Sequence, residues 1–206
     1  MSESAPIVRR RATQERSRDT RQRILEAAVT ALVEAGYAGA TTLRIQEIAG
    51  VSRGRLLHHY PSRDDLLVAA LAHLTEVRTS GLAEGRVWPA DPGERIDAIV
   101  DTVWETFGQP YFWASAELWL AARWNPRLAE VLLPQERRVG AFIASKLIEF
   151  FGEELAARED YQLACDLLIT SMRGVAMTYA FRSQDARLDP HLAEWKRLTR
   201  SLLLGG

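Results

Sequence analysis

His58 and His59 stand side by side, shortly after Arg53-Gly54-Arg55 and directly before Tyr60-Pro61. Adjacent imidazoles suggest a metal site or proton transfer, whereas closely spaced arginines suggest phosphates or guanine edges. Helical geometry separates the two. Successive residues on a helix point about 100° apart, so His58 and His59 cannot hold one ion from the same turn. His73 and His191 are isolated in sequence, and Cys165 lies in an apolar helical run, where a thiol packs more readily than it reacts. The chain has no HExxH, no GxSxG, no glycine-rich phosphate loop and no CxxC. These absences argue against an enzyme and give no reason to expect a metal or cofactor. The arginines remain, and they point to a polyanion.

The charge distribution agrees. The formal net charge is −1, but residues 1–63 carry eleven arginines against six acids, and the excess of acid falls in the rest of the chain. A basic N-terminal third on an acidic body is the pattern of a protein that meets nucleic acid at one end. Apolar residues at 47% are ordinary for a globular protein, and no run approaches the ~18 apolar residues of a membrane span. The N-terminus is too polar for a secretory signal, and the one cysteine, Cys165, cannot form an internal disulfide. Both features suggest a cytoplasmic protein without a membrane partner.

The elements that must position these residues are helices. Residues 1–17 are polar and Arg-rich without apolar periodicity, and read as a disordered basic tail. From Asp19, Ile24, Leu25, Ala28, Leu32 and Val33 recur at helical steps until Gly36. Thr41 or Thr42 can cap a short second helix ended by Gly50. Ser52 can cap a third that Pro61 ends, and Pro61-Ser62 opens a fourth, with Asp64 and Asp65 in its first turn. GLAEGRVWPADPG, residues 81–93, reads as a connection. Five more helices are expected at about 94–107, 111–124, 126–151, 160–183 and 190–204. The fold class is all-α with about nine helices, divided into the tail, a DNA-binding domain at 18–78 and a larger domain at 79–206.

Two short helices joined at Gly50-Val51-Ser52 fit a helix-turn-helix. At 100° per residue, Leu56 and Tyr60 face inward, while Gly54 and His58 face outward with Arg55 beside them. Gly54, with no Cβ, permits close approach to DNA. Residues 20–71 resemble the N-terminal domain of TetR-type transcriptional regulators. The resemblance rests on RILEAA in the first helix, the GY connection, the ATT cap, IAGVS at the turn, and LHHY followed by Pro, Ser and a basic residue. Arg55 stands where many relatives have Thr, Leu57 where a phosphate-contacting Tyr is common, and Tyr60 replaces the usual Phe.

The resemblance implies a sequence-specific regulator, a ligand-responsive repressor acting as a homodimer on a near-palindromic operator. Arg55 is the leading candidate for a base contact; Arg53 reads a base or holds a phosphate. Leu57 can touch a thymine methyl, and Gly54 and His58 lie on the same outward face. Ser52, His59, Tyr60 and Arg63 are better placed for phosphates. Thr42 does the same or only caps its helix, and Arg44 adds non-specific attraction.

The larger domain is expected to dimerise through the last two helices, about 160–204, where Gly174, Ala176 and Ala180 permit close packing, or else to bury them in its own core. Trp104, Phe107, Trp113 and Trp119 belong to a dense aromatic run that either lines a pocket for a small apolar or amphipathic effector or fills the core. Glu117, Arg123 and Arg173 either orient that ligand or pair with one another. A helical protein-interaction module explains the helices but not the basic third; an α-helical enzyme lacks a motif.

Overall fold

Ile24, Ala28 and Leu32 are fully or almost fully buried along one face of the first helix, α1 (Ser4–Gly39). The structure is a computed structural model. It describes the backbone of residues 4–83, 86–180 and 186–205, and the side chains of all of these but 4–16, 78–80, 82, 83 and 186. α1 begins at Ser4, where the sequence suggested a disordered tail through residue 17. Composition explains the difference. Arg, Gln, Glu and Ala dominate this stretch, and a helix already anchored from Thr20 extends backward without a new nucleus. The expected stop at Gly36 is present as an interruption of α1, with φ 62° and ψ −177°, a conformation open to glycine alone without strain.

Local capping shapes the next three helices. Thr41, not Thr42, caps α2 (Thr42–Ala49), accepting from the Arg44 N–H at 3.2 Å, and Gly50 closes it in the left-handed region at φ 62°. Ser52 accepts from the Arg55 N–H at 3.4 Å to start α3 (Arg53–His59). Ser62 accepts from the Asp65 N–H at 3.1 Å at the head of α4 (Arg63–Ala83). α4 continues through Gly81–Ala83, the start of the expected connection, because a helix's last turn tolerates glycine. Then come α5 (Pro92–Phe107), α6 (Pro110–Ala122), α7 (Pro126–Ala156, interrupted at Gly152) and α8 (Tyr161–Thr178). A 3₁₀ turn at Ala186–Leu188, α9 (His191–Arg200) and a π-helical turn at Ser201–Gly205 complete the described chain. Nine α-helices and no strand are found among the described residues, so the all-α class is observed.

The helices gather into two compact units. One comprises residues up to Thr75 with Trp113–Arg137; the other comprises Glu76–Phe112 with Arg138–Gly206. Residues 113–137 thus pack with the helix-turn-helix, well beyond position 78. In the first unit, Leu32, Ile45, Leu56, Leu66 and Leu67 share a core with Ala114, Leu118, Leu128 and Leu132. Because Leu56 is wholly buried there, α3 has a fixed inward face. In the second unit α5, α8 and α9 pack together over Ile96, Ile99, Val100, Leu168, Met172 and Trp195.

Candidate nucleic-acid interface

Only α3's inward residues are fixed by the core; its outward residues meet solvent. Leu56 and Tyr60 are buried, while Arg53, Gly54, Arg55, Leu57 and His58 are exposed and His59 is half-buried. A Cβ added at Gly54 would find nothing within 4 Å. The protein's own packing therefore does not require glycine at this position. Ser52 is exposed at the head of the same helix, its hydroxyl aligned by the cap. Thr42 is half-buried in α2's first turn, and Arg44 is exposed with its guanidinium 2.9 Å from Glu34.

Two of the phosphate candidates are placed otherwise. Tyr60 is 5% exposed, and its hydroxyl accepts from the Arg21 Nε at 3.1 Å. Its ring continues the inward stripe that begins at Leu56, so burial, not solvent, claims it. Arg63 is also turned inward: NH1 donates to the Tyr37 carbonyl at 3.3 Å, Nε and NH2 donate to Asp64 Oδ1, and the guanidinium lies 4.2 Å from the Tyr37 ring centroid. Those contacts compete directly with phosphate binding. Arg21, which sequence reasoning passed over, is an exposed cation held by Tyr60 beside the end of α3. No local pattern signals it, since only the fold brings α1 to that place.

The histidine rings contact edge to face, with centroids 5.4 Å apart. Partial burial pushes His59 below the ordinary histidine value of 6.5, and His58, Arg21 and Arg55 lower it further. In the folded protein protonation is thus disfavoured, so this group's contribution to stability is present above pH 6.5 and lost as pH falls. A phosphate beside His59 would offset the part of that preference that comes from the neighbouring cations and would favour the imidazolium, while the effect of burial remains. DNA binding is therefore expected to take up a proton, and affinity to rise as pH falls through 6.5. Titrations across that range with the parent chain and His59→Gln check it. A flatter profile in the variant is the expected result.

The seven ligand candidates divide between the units. Trp104 and Phe107 are buried in the second, their ring centroids 5.9 Å apart, and Trp104 packs at a tilt against Trp195 with centroids 4.7 Å apart. These contacts favour the core alternative for this pair. Arg173 is exposed on α8. In the first unit Trp113 is half-buried and Trp119 packs against the shared core. Glu117 accepts the Tyr37 N–H at 3.0 Å, and exposed Arg123 lies 5.8 Å from the Trp124 ring. Among the described residues, no group of three or more His, Cys, Asp or Glu could hold a metal ion.

A capped support helix, a tight turn and a core-anchored helix with a cationic outer face define the class: a helix-turn-helix DNA-binding protein. Residues 24–70 match the profile of the family described as bacterial regulatory proteins, tetR family. The chain is 28% identical to the transcriptional regulator CymR of Pseudomonas putida over 183 residues, covering 88% of this chain and 89% of that one. It is 36% identical over 91 residues to the transcriptional repressor AcnR of Corynebacterium efficiens, covering 42% and 48%. The fold resembles Salmonella enterica GusR, with TM-score 0.60 and 22% identity over 90% of this chain and 96% of that one. It also resembles a multidrug binding protein, EbrR, complexed with imidazole, with TM-score 0.56 and 26% identity over 89% and 94%. Residues 24–70 thus match the DNA-binding domain of the tetR family, and the chain is similar over most of its length to a regulator that carries this domain.

Proposed function

We propose that this protein is a ligand-responsive repressor that binds a near-palindromic operator as a homodimer. The observation that carries the DNA part is α3: its inward face is locked by Leu56 and Tyr60, and its outward face presents Arg53, Gly54, Arg55, Leu57 and His58 to solvent. Ser52 and Arg44, with Thr42 at the second helix, flank that face and suit backbone phosphates.

Dimerisation through α8 and α9 is supported by what the second unit leaves uncovered. Leu163 and Leu167 are 50% and 43% exposed, and with Thr170 and Gly174 they form one stripe at helical steps along α8. Leu198 on α9 is 41% exposed. A second copy would bury these apolar side chains, and its two-fold symmetry would make the recognised sequence near-palindromic. Ala176, Leu168 and Met172, by contrast, already lie in the chain's own core, and Ala180 is exposed beyond α8.

An apolar or amphipathic effector is the ligand class the aromatic content suits, and EbrR supplies a relative described as multidrug-binding. Such an effector changes operator affinity only by binding the two states unequally. Repression follows from obstruction of a promoter by the bound dimer, and the place of action is the cytoplasm, where bacterial DNA lies. Among the described residues, no helix is long and apolar enough to cross a membrane.

A gel shift on the DNA upstream of the chain's own gene, repeated across salt concentrations, tests this reading. A preferred fragment whose affinity falls by about 10³ or more between 50 and 200 mM salt is expected for six or more phosphate contacts. Absence of binding to any duplex at low salt would overturn it.

A further inference from the structure

Asn125 lies between α6 and α7, far from the reading helix in sequence, yet three hydrogen bonds fix its side chain. Its Oδ1 accepts the Leu128 N–H at 3.2 Å and so caps α7, which leaves Nδ2 to donate elsewhere. Nδ2 donates to the Tyr37 hydroxyl at 3.0 Å and to Asp64 Oδ2 at 3.3 Å. The Tyr37 hydroxyl in turn donates to Asp64 Oδ1 at 2.9 Å, closing a ring of three side chains. Donors and acceptors match throughout. Arg63 covers the ring, bonded to Asp64 and to the Tyr37 carbonyl.

A second tie comes from α6. Glu117 Oε2 accepts the Tyr37 N–H at 3.0 Å, across a point where α1 has no side chain. A Cβ at Gly36 would stand 2.9 Å from that same oxygen, and the positive φ of 62° at this position already favours glycine. Every residue in this cluster belongs to the unit that contains the helix-turn-helix. Asp64 and Arg63 begin α4 just beyond Pro61-Ser62, where α3 ends. The cluster therefore grips the corner from which α3 projects.

We propose that Asn125 and Glu117 are positioning residues for operator recognition, which through Tyr37 and Asp64 hold the α3–α4 corner in the pose that fits base edges. The proposal rests on the reading of α3 as the DNA-contacting helix. Neither residue touches DNA; both act through the corner. Loss of the tie leaves the cationic face intact, so attraction to phosphates persists while the fit to a particular sequence is lost.

Anisotropy titrations of the full chain against its selected operator and an unrelated duplex of equal length, at fixed salt, test this beside thermal unfolding. Tyr37→Phe is the mildest probe, removing one hydroxyl and keeping the ring beneath Arg63. It and Asn125→Ala are each expected to weaken operator binding five- to tenfold while leaving the unrelated duplex unaffected. The double variant should be no weaker than Asn125→Ala alone, because both break one chain of bonds. Glu117→Ala should behave likewise, and Glu117→Gln, which keeps an acceptor for the Tyr37 N–H, should restore binding. Operator affinity within twofold of the parent in folded Tyr37→Phe and Glu117→Ala overturns the proposal, as do equal losses on both duplexes. A parent chain that prefers no sequence overturns the underlying DNA reading instead, and the proposal with it.

Discussion

Arg55→Ala is expected to abolish base preference at one position of the bound sequence while leaving the other positions as they were. Arg55 is exposed in the first turn of α3, and its backbone N–H is engaged by Ser52, so the helix start that aims it is fixed. N-terminal residues of a reading helix are those that reach base edges. A guanidinium paired with guanine O6 and N7 contributes about 1–3 kcal/mol of discrimination, or roughly five- to 150-fold. Arg55→Lys sharpens the comparison, because it keeps the charge and loses the planar fork. Discrimination should fall in both variants, but the salt slope only in the alanine one. If Arg55 instead held a phosphate, the alanine variant would weaken all sequences alike. Competition between duplexes differing at single positions distinguishes these outcomes.

Gly54→Ala is expected to make the protein more stable and a worse DNA binder. Open space surrounds the position, so a methyl group meets nothing in the free protein. Alanine then gains up to about 1 kcal/mol of helix propensity over glycine. Against DNA the same methyl lies between α3 and the groove, and a displacement that weakens one or two base contacts costs about tenfold or more in affinity. Opposite signs from one methyl group are hard to obtain unless this face is the contact surface. Thermal unfolding paired with a titration reads both. A stabilised variant that binds as tightly as the parent would remove Gly54 from the interface.

The outward face of α3 was legible because its determinants are local. Ser52 and Gly50 are cap residues at the positions where caps are needed, and Leu56 and Tyr60 fall on one face by periodicity alone. Arg63 and Glu117 were not legible. Each is a charged residue on a helix, and the sequence cannot show that the chain brings Tyr37 within reach of both. Tyr60 illustrates a narrower failure. Its hydroxyl suggested a phosphate contact, but its position on the buried stripe decided where it went, and Arg21 satisfied the hydroxyl. The aromatic run was a regional signal that packing divided: Trp104 and Phe107 belong to one unit, Trp113 and Trp119 to the other. Likewise, the arginine-rich N-terminus combines helix propensity with no apolar period, and α1 needs no such period before Thr20 to continue.

The central claim is that α3 reads a specific DNA sequence. Selection of bound duplexes from a randomised pool, at low and at near-physiological salt, tests it most directly. The expected result is one enriched near-palindrome whose preference at a guanine-containing position vanishes with Arg55→Ala. A bound pool no different from the input at either salt would contradict the claim.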